Sequence, residues 1–159
     1  MQFTYVTYIF GTTPQRVYQA LTERADYDAY LGTTGPQSTW AVGDTVFWKS
    51  LPEGDFEDLG QEVLEADPGV ALAYTWYGVQ PAHRRFFASD AAFAASQSER
   101  SVVRFSLIDD PELAAVRLHL THEGFDSADS VMLDRVSEGW PKIVSALKTW
   151  LESPKAPQE

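Results

Sequence analysis

Residues 127–153 read SADSVMLDRVSEGWPKIVSALKTWLES. Met132, Val136, Trp140, Ile143, Leu147 and Trp150 or Leu151 recur every three or four residues, which draws one apolar stripe along an α-helix. Asp126 or Ser127 stands where a cap is needed. Asp129 and Asp134 fall early and Lys142 and Lys148 late, the charge order that suits the helix dipole. Pro141 removes a backbone hydrogen bond inside the helix and costs about 3 kcal/mol unless the helix bends or restarts there. A long helix with one greasy face needs a broad apolar partner. The residues upstream supply it.

Residues 2–10 (QFTYVTYIF) are β-branched and aromatic and read as a strand. Gly11-Thr12-Thr13-Pro14 stops it and starts a helix, with Thr13 as N-cap and Pro14 at N1, or with Thr12 and Gln15 in a competing capping box. Pro14, Val17, Tyr18 and Leu21 share a face. A second short helix covers Ala25 to Leu31 and ends at Gly32. From 38 to 121 the pattern is strand and turn: 38–42 and 45–50 around Val42-Gly43-Asp44, 61–66 and 70–77 around Asp67-Pro68-Gly69, and 102–108 and 114–122 around Asp109-Asp110-Pro111-Glu112. Short connections between neighbouring strands predict an antiparallel meander. Residues 78–100 are irregular and read as a long loop or a short helix.

The expected fold is α+β: a curved antiparallel sheet of about six or seven strands wrapped on the long C-terminal helix, with two short helices after the first strand. The chain of 159 residues suits one domain, 1–153, followed by a disordered tail, 154–159. Lys and Arg number 12 against 23 Asp and Glu, a net charge of −11, which repels phosphate backbones and anionic membranes. No nucleic-acid partner is expected. No apolar run approaches the ~20 residues of a membrane span, and the N-terminus lacks a signal-peptide pattern, so a cytoplasmic protein without membrane insertion is expected. Without cysteine, thiolate catalysis and Cys-ligated metals are excluded.

Four strings carry a resemblance: YIFGTTPQRVYQALTE (8–23), GQEVLEADPGVALAYTW (60–76), VRLHLTHEGF (116–125) and GWPKIVSALKTWLE (139–152). In this order they resemble the helix-grip superfamily, the START or SRPBCC group, and within it the homologues of the heat-shock-protein-90 ATPase activator, C-terminal-domain type. The resemblance implies a cavity between sheet and long helix suited to a hydrophobic small molecule. The eukaryotic activator carries a separate N-terminal domain that also engages the chaperone, whereas this chain begins directly at its first strand. The expectation is therefore against a chaperone interaction.

Alternation assigns the strand faces. Leu72, Tyr74 and Trp76 lie together, as do Val103, Phe105 and Leu107, and Val116, Leu118, Leu120 and His122. Val46 and Trp48 face inward in the early hairpin, although Phe47 leaves that register ambiguous. A ligand pocket would be lined by Trp48, Tyr74, Trp76, Phe105, Leu120 and His122 and closed by Met132, Val136 and Trp140. The competing reading is a filled core. His122 is the candidate catalytic residue, a neutral imidazole able to orient a ligand or move a proton; otherwise it is a strand-end histidine bonded to backbone or to Glu123. His119 points to the opposite face, so the two cannot share a metal. His83-Arg84-Arg85 reads as an anion clamp or as a solvated loop. The acidic groups at 53–58 and 109–110 lie in turns and read as solvated.

No GxGxxG, P-loop, GxSxG or HExxH motif occurs, and no metal or cofactor is expected. The leading expectation is a binding protein for a lipid, polyketide or aromatic compound rather than an enzyme. Two alternatives stand beside it: a cyclase- or hydrolase-like enzyme using His122, and a chaperone cofactor or protein-interaction regulator. A homodimer is compatible with either class.

Overall fold

The turn signal at Asp67-Pro68-Gly69 forms a type II turn. Val70 N–H donates to the Asp67 carbonyl at 2.9 Å and Gly69 takes φ 78°, a backbone conformation that favours glycine at that turn position. It joins β3 (Glu57–Asp67) to β4 (Ala71–Thr75). The computed structural model describes residues 1–49 and 51–154. The expected tail at 154–159 lies outside the described residues except for Pro154.

The order is β1 (Gln2–Phe10), α1 (Pro14–Thr22), α2 (Arg24–Leu31), β2 (Thr45–Trp48), β3, β4, a 3-10 helix (Pro81–Phe86), α3 (Asp90–Ser96), β5 (Val102–Asp110), β6 (Ala115–Glu123) and α4 (Val131–Glu152). The six strands form one antiparallel sheet in the order β1-β6-β5-β4-β3-β2. Consecutive strands are neighbours from β2 to β6, the expected meander. β1 closes the other side by pairing with β6, from Gln2 opposite Glu123 to Phe10 opposite Ala115. Irregular register between Val46 and Phe47 in β2 and between Val63 and Glu65 in β3 bends that end of the sheet. No helix among the described residues is long and apolar enough to cross a membrane.

α4 lies on the concave face and buries Met132, Val136, Trp140, Val144 and Leu147; four of these belong to the expected stripe, whereas Val144 takes the fully buried place expected of Ile143, and Ile143 and Leu151 are only partly buried and Trp150 exposed. It runs through Pro141 without a break. Its start falls at Val131 rather than at 127, because a buried glutamate holds the preceding loop open. Glu99 Oε2 accepts from Asp126 N at 2.9 Å and its Oε1 accepts from Ser130 Oγ at 2.8 Å, while Ser130 Oγ caps Leu133 N at 3.2 Å. At the other end, Lys148 Nζ donates to the Tyr8 carbonyl at 2.8 Å and Phe10 N–H donates to Glu152 Oε2 at 2.8 Å. Tyr8 and Phe10 are two residues apart on the open side of β1, so this i,i+4 pair occupies part of a free sheet edge.

Thr13 caps α1, accepting from Arg16 N at 3.2 Å, which settles the register against Thr12. Asp26 ties the helices together: it takes two hydrogen bonds from Arg16, at 2.5 and 3.0 Å, and one from Trp150 Nε1 at 2.9 Å. Residues 38–42 make no strand. A single bridge pairs Gln37 with Phe47, and the chain then turns Trp40, at φ 62°, into the interior. Its indole donates to the Thr22 carbonyl at 2.7 Å and its ring packs 5.7 Å from Tyr74. Residues 78–100 contain the 3-10 helix and the short α3.

Candidate functional site

The inward face of the sheet meets α4 in two regions. In the centre, Tyr74, Phe105 and Leu120 are at most 1% exposed. Tyr74 and Phe105 pack ring to ring at 6.4 Å, and Phe105 meets Trp140 edge-on at 5.5 Å. Trp40 covers Tyr74 from the side. None of these three residues lines the cleft that opens toward the β2 edge. They belong to the buried core, and Trp40 joins it from the loop beside Tyr74.

Toward the β2 edge the packing opens. A cleft of about 240 Å³ lies between α4 and the strand ends, lined by Trp48, Trp76, Tyr77, His83, Met132, Arg135, Val136, Gly139, Trp140 and Ile143. Five of the residues assigned to a pocket from sequence meet here: Trp48, Trp76, Met132, Val136 and Trp140. Trp76 is its aromatic hub. Its ring stands edge-on to Trp48 at 5.1 Å, stacks on Tyr77 at 4.7 Å and lies 5.3 Å from Trp140.

His122 sits behind this wall, fully buried. Trp140 Nε1 donates to its Nδ1 at 2.9 Å, and its Nε2 lies 2.8 Å from Ser101 Oγ. An indole nitrogen is a donor only, so Nδ1 is the acceptor and Nε2 carries the proton toward Ser101. Burial pushes the imidazole pKa down to about 3, because the charged form loses its hydration. Both nitrogens are engaged inside the protein, and His122 does not border the cleft.

The rim is polar. His83 lies parallel to Tyr77 at 6.2 Å, and its Nδ1 accepts from Gln80 N at 2.8 Å. Burial, and then the charges of Arg135 and Arg85, hold His83 below the usual histidine range. Burial pushes the Tyr77 phenol up to about 12. The Arg135 guanidinium covers the Phe86 ring at 4.4 Å. The run His83-Arg84-Arg85 does not converge: Arg84 bonds Asp90 at 2.6 Å and the Phe87 carbonyl at 2.9 Å, whereas Arg85 lies over Phe86. Tyr77, His83, Arg135, Gly139 and Ile143 complete the lining. The helical members were readable, since Arg135, Gly139 and Ile143 follow at i, i+4 and i+8 along the flank of the apolar stripe. Nothing local marks Tyr77, and His83 was singled out only as part of the run His83-Arg84-Arg85.

A larger hollow of about 710 Å³ lies at the far end of α4, beside Gly11, Arg16 and Trp150. Its principal polar groups, Arg16 and Trp150, are already committed to Asp26. The cleft beside Trp76 is the better candidate.

A sheet gripping one long C-terminal helix, with α1 and α2 between the first two strands, is the architecture of a known family. The family model described as activator of Hsp90 ATPase homolog 1-like protein matches residues 11–152. The chain belongs to that family. Solved structures agree on the fold of this Hsp90-activator-like chain. MLL2253 from Mesorhizobium loti is 24% identical, with a TM-score of 0.67 over 94% of this chain and 97% of that one. The Aha1 dimer from Colwellia psychrerythraea is 16% identical, with a TM-score of 0.68 over 96% of each chain. DynU16, from the dynemicin biosynthetic locus, is 18% identical, with a TM-score of 0.67 over 96% of this chain and 47% of its own. A search of curated proteins gives no match.

Proposed function

We propose that this member of the Hsp90-activator-like family binds an apolar small molecule in the cleft between α4 and the β2–β4 end of the sheet. The observation that carries the reading is the cleft itself, walled by Trp48, Trp76, Trp140, Met132, Val136 and Ile143 with polar groups only at its rim. An apolar hollow with a few convergent polar groups is the usual form of a small-ligand site. At about 240 Å³ it lies below the roughly 300–1,000 Å³ of sites for drug-sized ligands, which suits a small aromatic compound better than a long-chain lipid. The place of DynU16 in a biosynthetic locus is in keeping with such a ligand. In this reading His122 supports the wall through Trp140 and takes no part in chemistry.

Gly139 supplies the test. A Cβ added there meets nothing within 4 Å, and Gly139 lies on α4 facing the cleft. Gly139→Leu should fill the space while gaining about 0.5–1 kcal/mol of helix propensity. Small aromatic compounds titrated into the wild-type chain should shift the amides of α4 around Gly139, as followed by heteronuclear NMR. The same compounds should leave Gly139→Leu unshifted although it is at least as stable. Equal binding to both proteins would remove the cleft from consideration.

A further inference from the structure

Five tryptophans occur in the chain, and three have paired indoles: Trp40 with the Thr22 carbonyl, Trp140 with His122 and Trp150 with Asp26. The other two, Trp48 and Trp76, have Nε1 atoms shut off from solvent and without a hydrogen-bond partner, and both line the cleft. Buried donors are rarely left unpaired, because each forfeits its hydration without a replacement. The edge-on contact between the two rings offers an N–H···π interaction to one of them at most, and such contacts are second-order. A third unpaired atom belongs to the same end of the sheet. Gln61 Oε1 has no partner, and Gln61 is 1% exposed. It lies opposite Val46 in β2, with its Nε2 donating to the carbonyl of Thr75, the residue before Trp76. Flipping this amide would set oxygen against oxygen, so the unpaired atom is an acceptor.

We propose that the cleft is built for an oxygen-bearing aromatic ligand, a phenol in preference to a hydrocarbon, whose oxygen enters between Trp48 and Trp76 and accepts from their indole N–H groups. This rests on the cleft being the binding site. The contact between the two rings opens on binding. Trp48 is the ring able to move, since it ends the four-residue edge strand β2 and is only partly buried, and interface side chains commonly change rotamer when a ligand arrives. The unliganded arrangement leaves two donors unsatisfied, so a ligand that satisfies them gains what the free protein lacks. Gln61 does not line the cleft, so the ligand contacts are those of the two indoles.

The test compares β-naphthol with β-methylnaphthalene, two ligands of matched shape that differ in the hydroxyl, on the full chain isotope-labelled at nitrogen. β-Naphthol should bind about tenfold more tightly, as expected when a buried donor gains its partner. It should move the indole N–H resonances of Trp48 and Trp76 downfield and leave those of Trp40 and Trp150 in place. Trp76→Phe should reduce the affinity ratio, and Trp48→Phe/Trp76→Phe should bring it close to unity. The ratio is taken within each protein, so a general loosening of the site cancels. If the two compounds bind equally, with α4 amides shifting and both indoles still, this inference is overturned and the cleft stands. If neither compound moves the α4 amides around Gly139, the cleft itself is refuted, and this inference with it.

Discussion

His122 shows how far a single side chain can be read from its neighbours in sequence. Alternation in VRLHLTH places it inward, and there it lies, but its partners Ser101 and Trp140 are 21 and 18 residues away. No local pattern announces them. The same limit applies to Tyr74, whose inward direction was legible and whose neighbour Trp40, reaching it from a loop, was not. His122 carries a pH signature. Its folded pKa of about 3 lies below the unfolded value of about 6.5. The unfolded chain therefore takes up the proton first. The stabilisation is complete above the unfolded value and is lost as pH falls through it toward the folded one. Between about pH 7 and pH 5 this group should cost the fold about 2 kcal/mol. Denaturant melts of wild type and His122→Gln at both pH values should show that the variant is less stable at neutral pH and loses about 2 kcal/mol less on acidification. An identical loss in both proteins would mean that His122 is not held neutral.

At the scale of the element, α4 was legible in its stripe and misplaced at its start. Asp126 and Ser127 satisfy the local rule for a cap. The choice of Ser130 is made from outside by Glu99, which engages both Asp126 N and Ser130 Oγ. Ser130→Ala removes a cap and one of the two hydrogen bonds to a buried carboxylate, and should cost about 1–2 kcal/mol in chemical denaturation. Glu99→Gln should reduce that cost. In a double-mutant cycle the two changes should therefore be non-additive by at least 0.5 kcal/mol or so; strict additivity would separate the cap from the glutamate. Hairpins whose signals are local came through well, as at Asp67-Pro68-Gly69. The segment 38–42, whose conformation depends on where Trp40 finds space, did not.

For the whole molecule, the meander and its helix cover were readable because each connection is short and each period plain. The pairing of β1 with β6 was not read from the sequence, since no short connection joins the two strands. That pairing leaves β1 and β2 as edges, and the Lys148–Glu152 pair blocks part of the first. Replacing both residues with Ala frees the Tyr8 carbonyl and the Phe10 N–H. Unpaired strand edges template association with other chains. The double variant should lose no more than about 1–2 kcal/mol of stability yet form more soluble oligomer at high concentration, as read by light scattering coupled to gel filtration. An unchanged molar mass distribution would show that the remaining edge is protected by other means.

The partnership of β1 with β6 also sets a timetable. Phe3 lies opposite His122, so β1, once synthesised, finds its place only when more than a hundred further residues have been made. At roughly 5–20 residues per second that delay lasts about 6–25 seconds. During it, QFTYVTYIF is a nascent segment of high β-propensity without its mate, the kind of sequence that aggregates when left waiting. Biosynthesis thus leaves β1 uncovered until β6, the strand that pairs with it in the finished fold, has been made.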